Sequence, residues 1–510
     1  MPLLEGAHDR RARLMTFPSL GERPVLPSAE SAHVTVIGGG LAGVAAAIVL
    51  NEHGVAVTLH EAGDVLGGRL SSWPDQLCAA AGGETMHLER GFHAFFRQYY
   101  NTRNLLRRVD PALTFLRPCD DYPLFGPDGA TESFAGLPRR PPFNLVALVK
   151  RTSTIRLRDL ASIDGDAAAE MLAYDGDETY ARFDSMSAAD YLDSVRFPPE
   201  ARRMLFEVFA HSFFNPQESM SAAEMLMMFH LYFCGSSEGI LFDVLDAPFG
   251  VALWNPLEAL LRRRGVDVQL GSRISELREP GEREGVVLAV DVTSLRSIVD
   301  ANAWIAATDD SWRTDIGSLR TAPPFAVWRL WLDRDVQADR QPFAGTAGVG
   351  IIDNISCVHR YQAEARRWAA TSGGSVIEMH AYALPEAHQN DPQRVKRELL
   401  SSLHGLYPET ASAQVLDERF LLRNDCPAFP PGAHEKRPTV VTPTPRVVIA
   451  GDCTRLAFPT ALMERAVTSG FLAANSILHS WNVRPEPVWS IPTRGVLATL
   501  QSWQRRRRSA

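Results

Sequence analysis

Residues 33–61, "HVTVIGGGLAGVAAAIVLNEHGVAVTLHE", decide the fold of this chain. The apolar, β-branched run 34–37 predicts a short buried strand. The small residues of 41–51 predict a helix that ends near Gly54, and residues 55–60 predict a second strand. Strand, helix and strand in this order predict a right-handed βαβ unit in a parallel sheet.

The turn between the first strand and the helix carries GxGxxG, formed by Gly38, Gly40 and Gly43. In this motif the first glycine allows a tight turn, the second lets a pyrophosphate approach the backbone, and the third lets the helix pack closely on the strand. The N–H groups of the first helical turn, at Leu41 and Ala42, favour bound phosphate. The pattern therefore predicts a dinucleotide site.

The dinucleotide site has a carboxylate and two further glycine segments. Glu61 ends the second strand, where a carboxylate accepts hydrogen bonds from both ribose hydroxyls. In "EAGDVLGGRL" (61–70) the glycines turn the chain past the pyrophosphate and the arginine neutralises it, and in "VVIAGDCT" (447–454) a carboxylate binds ribityl hydroxyls or orders water on the phosphates. These two segments favour FAD over NAD. Their predicted cofactor-binding residues are Gly67, Gly68, Arg69, Gly451 and Asp452.

Aromatic rings crowd the segment "ERGFHAFFRQYYN" (89–101), which also contains His93 and Arg97. A stacking platform for nucleic acid is disfavoured, because the chain has a net charge of -8 and phosphate contacts need a basic surface. Two interpretations remain open at this point: packing against the nucleotide domain, or the wall of a site for a large flat molecule.

The combination of GxGxxG, an acid, GGR and a late GD resembles the FAD-dependent amine oxidase and carotene desaturase superfamily. The aromatic segment that begins at Gly91 is similar to one in plant-type phytoene and ζ-carotene desaturases. Its version with Arg97, together with "MERAVTSGFLAAN" (463–475), most resembles the bacterial carotenoid φ-ring synthases, which are β-carotene desaturase/methyltransferases of the isorenieratene type. Other desaturases have glycine at Arg97 and commonly Gly-Ala at Arg465-Ala466.

The resemblance implies an α/β fold with two domains. The first is a Rossmann-like FAD-binding domain of the three-layer ββα type with a parallel sheet, as in flavin-containing amine oxidases and phytoene desaturases. The second is a substrate domain of mixed sheet and helices. A buried strand is also predicted over 303–309, "AWIAATD". The predicted divisions are a polar arm (1–30), the FAD-binding domain (31–115, 249–320 and 426–485), the substrate domain (116–248 and 321–425) and a basic tail (486–510).

The implied activity is desaturation and methyl shift of the β-ionone ring of β-carotene to an aromatic φ-ring. Gly91, Phe92 and Met463 are then expected beside the flavin. The predicted catalytic residues are His93 as a proton acceptor, Glu464 as a base or a helix cap, and Arg97. Alternatives that stay open are a desaturase of an acyclic carotene or squalene-type polyene, an amine oxidase, and a prenyl-binding escort protein of the GDP-dissociation-inhibitor kind.

The expected partners follow from the same resemblance. A carotenoid substrate dissolves only in lipid, so "FNLVALVKRT" (143–152) and "GVLATLQSWQRRRR" (495–508) are predicted to contact a membrane surface. A quinone is one electron acceptor that fits. Six scattered cysteines with no metal-ligand spacing predict reduced thiols and no metal site. With no secretory signal or spanning segment recognised, the expected location is the cytoplasm, in peripheral contact with a membrane.

Overall fold

A computed structural model describes residues 11–15, 23–27, 30–119, 121–129, 131–133, 135–138, 141, 143–151, 163–203, 211–236 and 238–499 of the chain. Its strands, in chain order, are Arg13–Leu14 (β1), His33–Ile37 (β2), Ala56–His60 (β3), Ser72–Gln76 (β4), Thr85–Glu89 (β5), Phe95–Phe96 (β6), Leu116–Cys119 (β7), Pro123–Phe125 (β8), Thr131–Ser133 (β9), Phe242–Leu245 (β10), Asp267–Gln269 (β11), Glu284–Leu288 (β12), Phe325–Leu332 (β13), Phe343–Thr346 (β14), Asn354–Cys357 (β15), Ser375–Ala381 (β16), Val415–Arg423 (β17), Val447–Ile449 (β18) and Trp489–Ser490 (β19).

Its α-helices, in chain order, are Leu41–Glu52 (α1), Tyr100–Leu106 (α2), Phe143–Arg151 (α3), Gly165–Met171 (α4), Gly176–Phe183 (α5), Ala188–Val195 (α6), Pro199–Arg202 (α7), Ala222–Phe229 (α8), Asn255–Arg263 (α9), Val292–Ala301 (α10), Asp310–Ser318 (α11), Val358–Tyr361 (α12), Ala363–Ser372 (α13), Glu386–Gln389 (α14), Pro392–Leu406 (α15) and Leu462–Ser480 (α16).

The first domain is organised by a parallel sheet with the strand order β11-β3-β2-β12-β18. Three distant parts of the chain supply it, namely 33–60, 267–288 and 447–449. Because parallel strands end at the same edge of a sheet, the turns after β2, β3 and β18 lie along one edge, with β12 between β2 and β18. The α/β class predicted from the sequence is confirmed.

Helices cover both faces of this sheet. Helix α1 is buried at every position from 41 to 50, and α16 packs against it. Gly470 makes that contact close, since a Cβ there would lie 2.3 Å from the carbonyl oxygen of Ala42. The apolar side chains of α10 pack on the opposite face, with α11 beside them. Helices therefore cover this face of the sheet as well.

The second domain contains a mixed sheet with the order β17-β13-β16-β15-β14-β8-β9. Its pairs are antiparallel except β14 with β8, which are parallel. Strands β13 and β16 are buried along their whole length, so this sheet is also covered on both faces. A helical part, α4 to α8, has its own apolar core, which includes the buried Met225, Met227 and Met228.

Two segments differ from their sequence-based predictions. Residues 303–309 do not form a strand: Asn302 and Ala306 accept turn hydrogen bonds from Ile305 and Asp309, and Ala306 has φ of 54°. Part of the predicted polar arm is also ordered, since β1 pairs with β19. The tail prediction beyond residue 499 lies outside the described residues. None of the helices described is both long and apolar enough to cross a membrane.

Candidate active site

The glycines at the β2–α1 turn serve two different purposes. A Cβ on Gly43 would lie 1.9 Å from the carbonyl oxygen of Gly38, and a Cβ on Gly38 would lie 2.2 Å from that of Ala289. These two glycines permit close packing, and Gly38 also has φ of +103°. Gly40 differs, because the nearest atom to a Cβ there would be 4.0 Å away. The turn thus leaves an open strip beside Gly40.

The carboxylate of Glu61 is held by two backbone N–H groups, one from the β2–α1 turn and one from the segment that follows β3. Its Oε2 accepts a hydrogen bond from the N–H of Gly39 at 2.7 Å, and its Oε1 accepts one from the N–H of Gly63 at 2.7 Å. Both bonds fix the carboxylate at the edge of the cavity that contains Gly40. A carboxylate oxygen can accept more than one hydrogen bond, so Glu61 can still bind ribose hydroxyls.

Two ion pairs border the glycine segment 67–68. Arg69 Nη2 donates to Asp452 Oδ1 at 2.5 Å, and Arg90 Nη2 donates to Asp425 Oδ2 at 2.5 Å. Burial opposes the charge of Arg69, but the Asp452 carboxylate raises the pKa of Arg69 well above its usual value. Segments that are 383 residues apart in the sequence therefore meet here as a charged pair.

These features fit FAD. The open strip beside Gly40 can receive a pyrophosphate, and Gly40 has no side chain to cap the first-turn N–H groups of α1. Leu41 and Ala42 of that turn line the same cavity as Glu61. The cavity has a volume of about 820 Å³. It extends past Arg69 and Asp452 into the second domain, so it offers room for a flavin ring beyond the dinucleotide.

The second-domain end of the cavity is an aromatic chamber. Its rings are Phe92, Phe96, Tyr122, Phe213, Tyr232, Phe242 and Phe343. Phe92 stacks on Phe343 with ring centroids 4.4 Å apart, and it meets Phe242 edge-on at 5.9 Å. Phe96 meets Tyr232 edge-on at 4.8 Å. The chamber thus presents ring faces and edges from separate parts of the chain.

His93 lies in the cavity wall, as does Phe92 beside it. Its Nδ1 is 2.9 Å from the carbonyl oxygen of Gly91. A carbonyl only accepts, so Nδ1 carries the proton and Nε2 is the acceptor nitrogen. Burial lowers the pKa of His93 to about 4. The imidazole is therefore neutral at neutral pH, which suits the proton acceptor predicted from the sequence.

Glu464 lies beside the cavity but points toward α2. One carboxylate oxygen accepts hydrogen bonds from the N–H and side-chain amide of Asn101, and the other from the N–H and hydroxyl of Thr102. Glu464 is not among the cavity-lining residues, whereas Met463 and Ala466 are. The geometry therefore supports the cap function, although the helix it caps is α2 rather than its own helix.

Arg97 is directed at two acids. Its Nη1 lies 3.4 Å from Glu238 Oε1, and its Nη2 lies 3.3 Å from Asp243 Oδ1. Arg103, from α2, also pairs with Asp243. Arg97 is not one of the described residues that line the cavity. These pairs tie the aromatic segment to β10, so a structural function is the one that the geometry supports.

Arg465, in the first turn of α16, is turned away from the cavity. Its guanidinium pairs with the buried Glu224, which also accepts hydrogen bonds from Arg437 at 3.0 Å and from the Tyr180 hydroxyl at 2.6 Å. Burial opposes ionisation of Glu224, but Arg465 and Arg437 hold its pKa at about 2. The ring of Phe429 also lies under both guanidinium groups. Because Glu224 is in α8 and Arg465 is in the first turn of α16, the cluster joins these two helices.

The sequence interpretation missed polar residues on β16. Glu378 and His380 alternate along this buried strand, and Tyr382 follows it. His380 and Tyr382 line the cavity. Their spacing of two residues, in a strand that is otherwise mostly apolar, is a signal that could have identified them.

Comparison with known proteins agrees with this geometry. Residues 41–478 match the family model described as "Flavin containing amine oxidoreductase". The chain is 47% identical over 507 residues to a carotenoid phi-ring synthase of Streptomyces griseus, covering 97% of this chain and 96% of that protein. It is 26% identical to a carotenoid phi-ring synthase of Chlorobaculum tepidum, covering 91% of each. Cyclohexylamine oxidase from Brevibacterium oxydans has a similar structure, with a TM-score of 0.62, 16% identity, and coverage of 88% of this chain and 99% of that one.

Proposed function

The chain belongs to the flavin-containing amine oxidoreductase family, and on that basis we propose that it is an FAD-dependent carotenoid φ-ring synthase. Its reaction would convert the β-ionone ring of β-carotene to a trimethylphenyl ring. The structural observation that carries the proposal is the continuous cavity, which joins a dinucleotide site to a chamber of aromatic rings. The 47% identity to the Streptomyces griseus protein over nearly the whole chain supports the choice of substrate.

The chemistry requires oxidation and migration together. One carbon of a β-ionone ring carries two methyl groups, so the ring becomes aromatic only if one methyl moves to the neighbouring carbon. Each ring also loses four hydrogen atoms, which leave as two hydrides and two protons. When bound, FAD supplies the hydride acceptor. The chain must therefore hold the ring against the flavin, exclude water, and accept protons.

The aromatic chamber suits a ring that passes through a cationic state. Faces of Phe and Tyr attract cations by about 0.5–2 kcal/mol each, more when water is absent. Phe96 and Phe242 are close enough to act together, with centroids 5.5 Å apart. Neutral His93, whose Nε2 is unprotonated, is the acceptor that we carry over from the sequence for one of the two protons.

The residues that we propose to hold FAD are those that the cavity brings together. Gly40, Leu41 and Ala42 would bind the pyrophosphate, with Gly38 and Gly43 shaping the turn, and Glu61 would bind the ribose. The remaining contacts would come from Gly67, Gly68, Arg69, Gly91, Phe92, Gly451, Asp452 and Met463. Arg97 and Glu464 would support this site by anchoring the aromatic segment and α2.

We also propose contact with a membrane surface, from which the carotenoid would enter. Phe143, at the start of α3, exposes 63% of its surface, and α3 ends with Lys150 and Arg151. An apolar side chain next to cations is what an anionic lipid surface attracts. An electron acceptor of the quinone class, itself soluble in lipid, would reoxidise the flavin there.

The test is co-expression with the enzymes that make β-carotene, followed by chromatography and mass analysis of the pigments. We expect products with every carbon retained and four fewer hydrogens for each converted ring. Parallel cultures that accumulate lycopene or phytoene serve as controls. Unchanged β-carotene together with conversion of an acyclic carotene would contradict the ring-synthase proposal, and a purified chain that binds no FAD would contradict the flavoenzyme itself.

A further inference from the structure

We propose that Tyr382, His380 and Glu378 form a proton relay that accepts a ring proton during aromatisation. Tyr382 would be the catalytic residue at the cavity wall, and Glu378 would be a positioning residue that acts through His380. The proposal rests on the proposed function, since it assigns the acceptor for one of the protons that ring aromatisation releases.

The three side chains are in hydrogen-bond sequence. The Tyr382 hydroxyl lies 2.6 Å from His380 Nδ1, and His380 Nε2 lies 2.9 Å from Glu378 Oε1. Glu378 and His380 are buried and Tyr382 is half-buried, and Tyr382 and His380 line the cavity that holds the aromatic chamber. Tyr382 also contacts the cavity-lining Phe214, with ring centroids 4.7 Å apart. The chain of groups therefore starts at the cavity and leads into the sheet.

The charges fix the direction of the relay. Burial opposes ionisation of Glu378, but Arg329 and His380 hold its pKa at about 2. Glu378 is therefore an anion, and we assign the proton of His380 to Nε2, which faces it. The N–H of Phe92 also points at Nε2, at the longer distance of 3.2 Å. Nδ1 is then the acceptor, so the Tyr382 hydroxyl donates to it.

Tyr382 can take up one proton as it releases another to His380, so that it is not left as an anion. Burial raises the pKa of Tyr382 above its usual value, so it stays protonated. Its oxygen also accepts a hydrogen bond from the Asn354 amide at 3.0 Å. A proton that arrives at this oxygen can be accepted only if the phenolic proton moves to His380 Nδ1 at the same time.

The surroundings can stabilise the charge that this movement creates. Arg329 lies between Glu378, at 2.8 Å, and Glu89, at 3.3 Å. The Glu378 anion also faces His380, at 2.9 Å, so it is in direct contact with the imidazole that receives the proton. A negative charge at this distance stabilises a cation that forms beside it.

The relay acts on a ring that has already lost one hydride and one proton, and has thereby gained a second ring double bond. After a second hydride leaves the ring carbon next to the dimethyl carbon, for the acceptor that FAD would supply, one methyl migrates to that carbon with its bonding electrons. The carbon then holds one hydrogen and one methyl in a ring with a single positive charge. Its C–H bond breaks, the electron pair completes the aromatic ring, and the proton goes to the Tyr382 oxygen while the phenolic proton goes to His380.

Two other groups at the cavity could accept the proton instead. His93 is neutral and presents Nε2. Asp353 also lines the cavity, but its oxygens accept from the N–H of Tyr382 and lie 2.9 Å from His211 Nδ1. We favour the relay over both, because the group that would meet the substrate, Tyr382, is linked through His380 to a further acceptor, Glu378.

The experiment compares steady-state conversion of β-carotene in phosphatidylglycerol vesicles by flavin-loaded variants, with a soluble benzoquinone as oxidant. For Y382F and H380Q we expect kcat to fall about a hundredfold, the usual size of a general-base contribution. KM and flavin content should stay unchanged. E378Q should also lower kcat without changing KM, because its effect passes through His380. The solvent deuterium isotope effect of the wild-type chain should exceed that of Y382F, since only the wild type moves an exchangeable proton with the ring proton.

The control variant is Y191F, which removes a tyrosine hydroxyl outside the cavity lining. That hydroxyl donates a hydrogen bond to the carbonyl of Ala167. Y191F should convert β-carotene at the wild-type rate. The relay is overturned if Y382F and H380Q keep kcat within twofold, or if H93N or D353N alone shows the large fall. If one relay variant does not hold flavin, the other two decide. Failure of the wild-type chain to convert β-carotene would instead count against the proposed function.

Discussion

The two ends of the cavity are built in different ways. The dinucleotide end depends on backbone: glycines of one short turn and two N–H groups that orient Glu61. The aromatic end depends on side chains from distant segments, such as Phe92 on Phe343 and His380 beside Tyr382. A backbone site tolerates almost no change of residue type at its glycines, whereas a side-chain site can be retuned one ring at a time.

The largest expected effect breaks the dinucleotide end alone. In Gly43→Val the new side chain would collide with the carbonyl of Gly38, so α1 could not pack on β2. We expect the purified variant to contain no bound FAD, because overpacking of this kind cannot relax without moving backbone. Flavin absorbance per chain after purification measures it.

Gly317→Ala is the matched control for this variant, since a Cβ on Gly317 would meet no atom within 4 Å. If G43V retained normal FAD content, the turn would not be the phosphate site, and the contrast between the two ends would disappear.

The next largest effect is on the free energy of unfolding, and it concerns the ion-pair cluster that joins α8 to α16. Glu224→Gln removes the anion that Arg465 and Arg437 share, and leaves two buried cations without it. Breaking a buried pair in this way costs about 3–5 kcal/mol of unfolding free energy. Chemical denaturation of the holoprotein measures the change.

The control is Glu258→Gln, in the more exposed pair with Arg262, where we expect about 0.3–0.5 kcal/mol. A loss in E224Q no larger than in E258Q would mean that this ion-pair cluster does not stabilise the contact between α8 and α16.

A pH dependence of stability is expected at α2, whose first two residues are the last two of the aromatic segment 89–101. Burial raises the pKa of Glu464 from 4.5 to about 7, even though donors from Asn101 and Thr102 favour the anion. A raised folded pKa means that the folded chain binds more protons than the unfolded chain between these values. Stability therefore falls as pH rises from about 4.5 to about 7, by about 3 kcal/mol.

The measurement is the unfolding free energy of the chain and of Glu464→Gln across that pH range. The chain should lose stability relative to the variant as pH rises. A constant difference between the two would show that Glu464 keeps the same protonation state folded and unfolded.

The smallest effect tests a side chain within the backbone-built end. Glu61→Gln keeps the shape of the side chain but removes the charge that would accept hydrogen bonds from the ribose hydroxyls. Charge-assisted hydrogen bonds contribute about 1.5–3 kcal/mol, so FAD affinity should fall by about tenfold to a hundredfold. Fluorescence titration of the apoprotein with FAD measures it, and Glu258→Gln again serves as the control. Equal affinity in E61Q would place the ribose elsewhere.

Several features could be predicted because they depend on residues close together in the chain. Gly38 and Gly43 pack against each other within one turn, and Glu61 directly follows the next strand. The strand predicted over 303–309 was wrong because an apolar run indicates burial, not conformation, and Ala306 adopts a φ that strands exclude. Strand β12 was missed because its short run, "EGVVL", follows a highly charged segment.

The sequence by itself determined the nucleotide turn, the fold class and the family, because a motif and the hydrophobic period of its flanks are local properties of the chain. Only the tertiary structure decided what the charged residues do. Arg465 is paired with Glu224, 241 residues away, and Glu464 caps a helix 363 residues away. A buried charge takes whichever partner the fold brings within hydrogen-bond distance, and that distance is set by the packing of sheets and helices rather than by order along the chain.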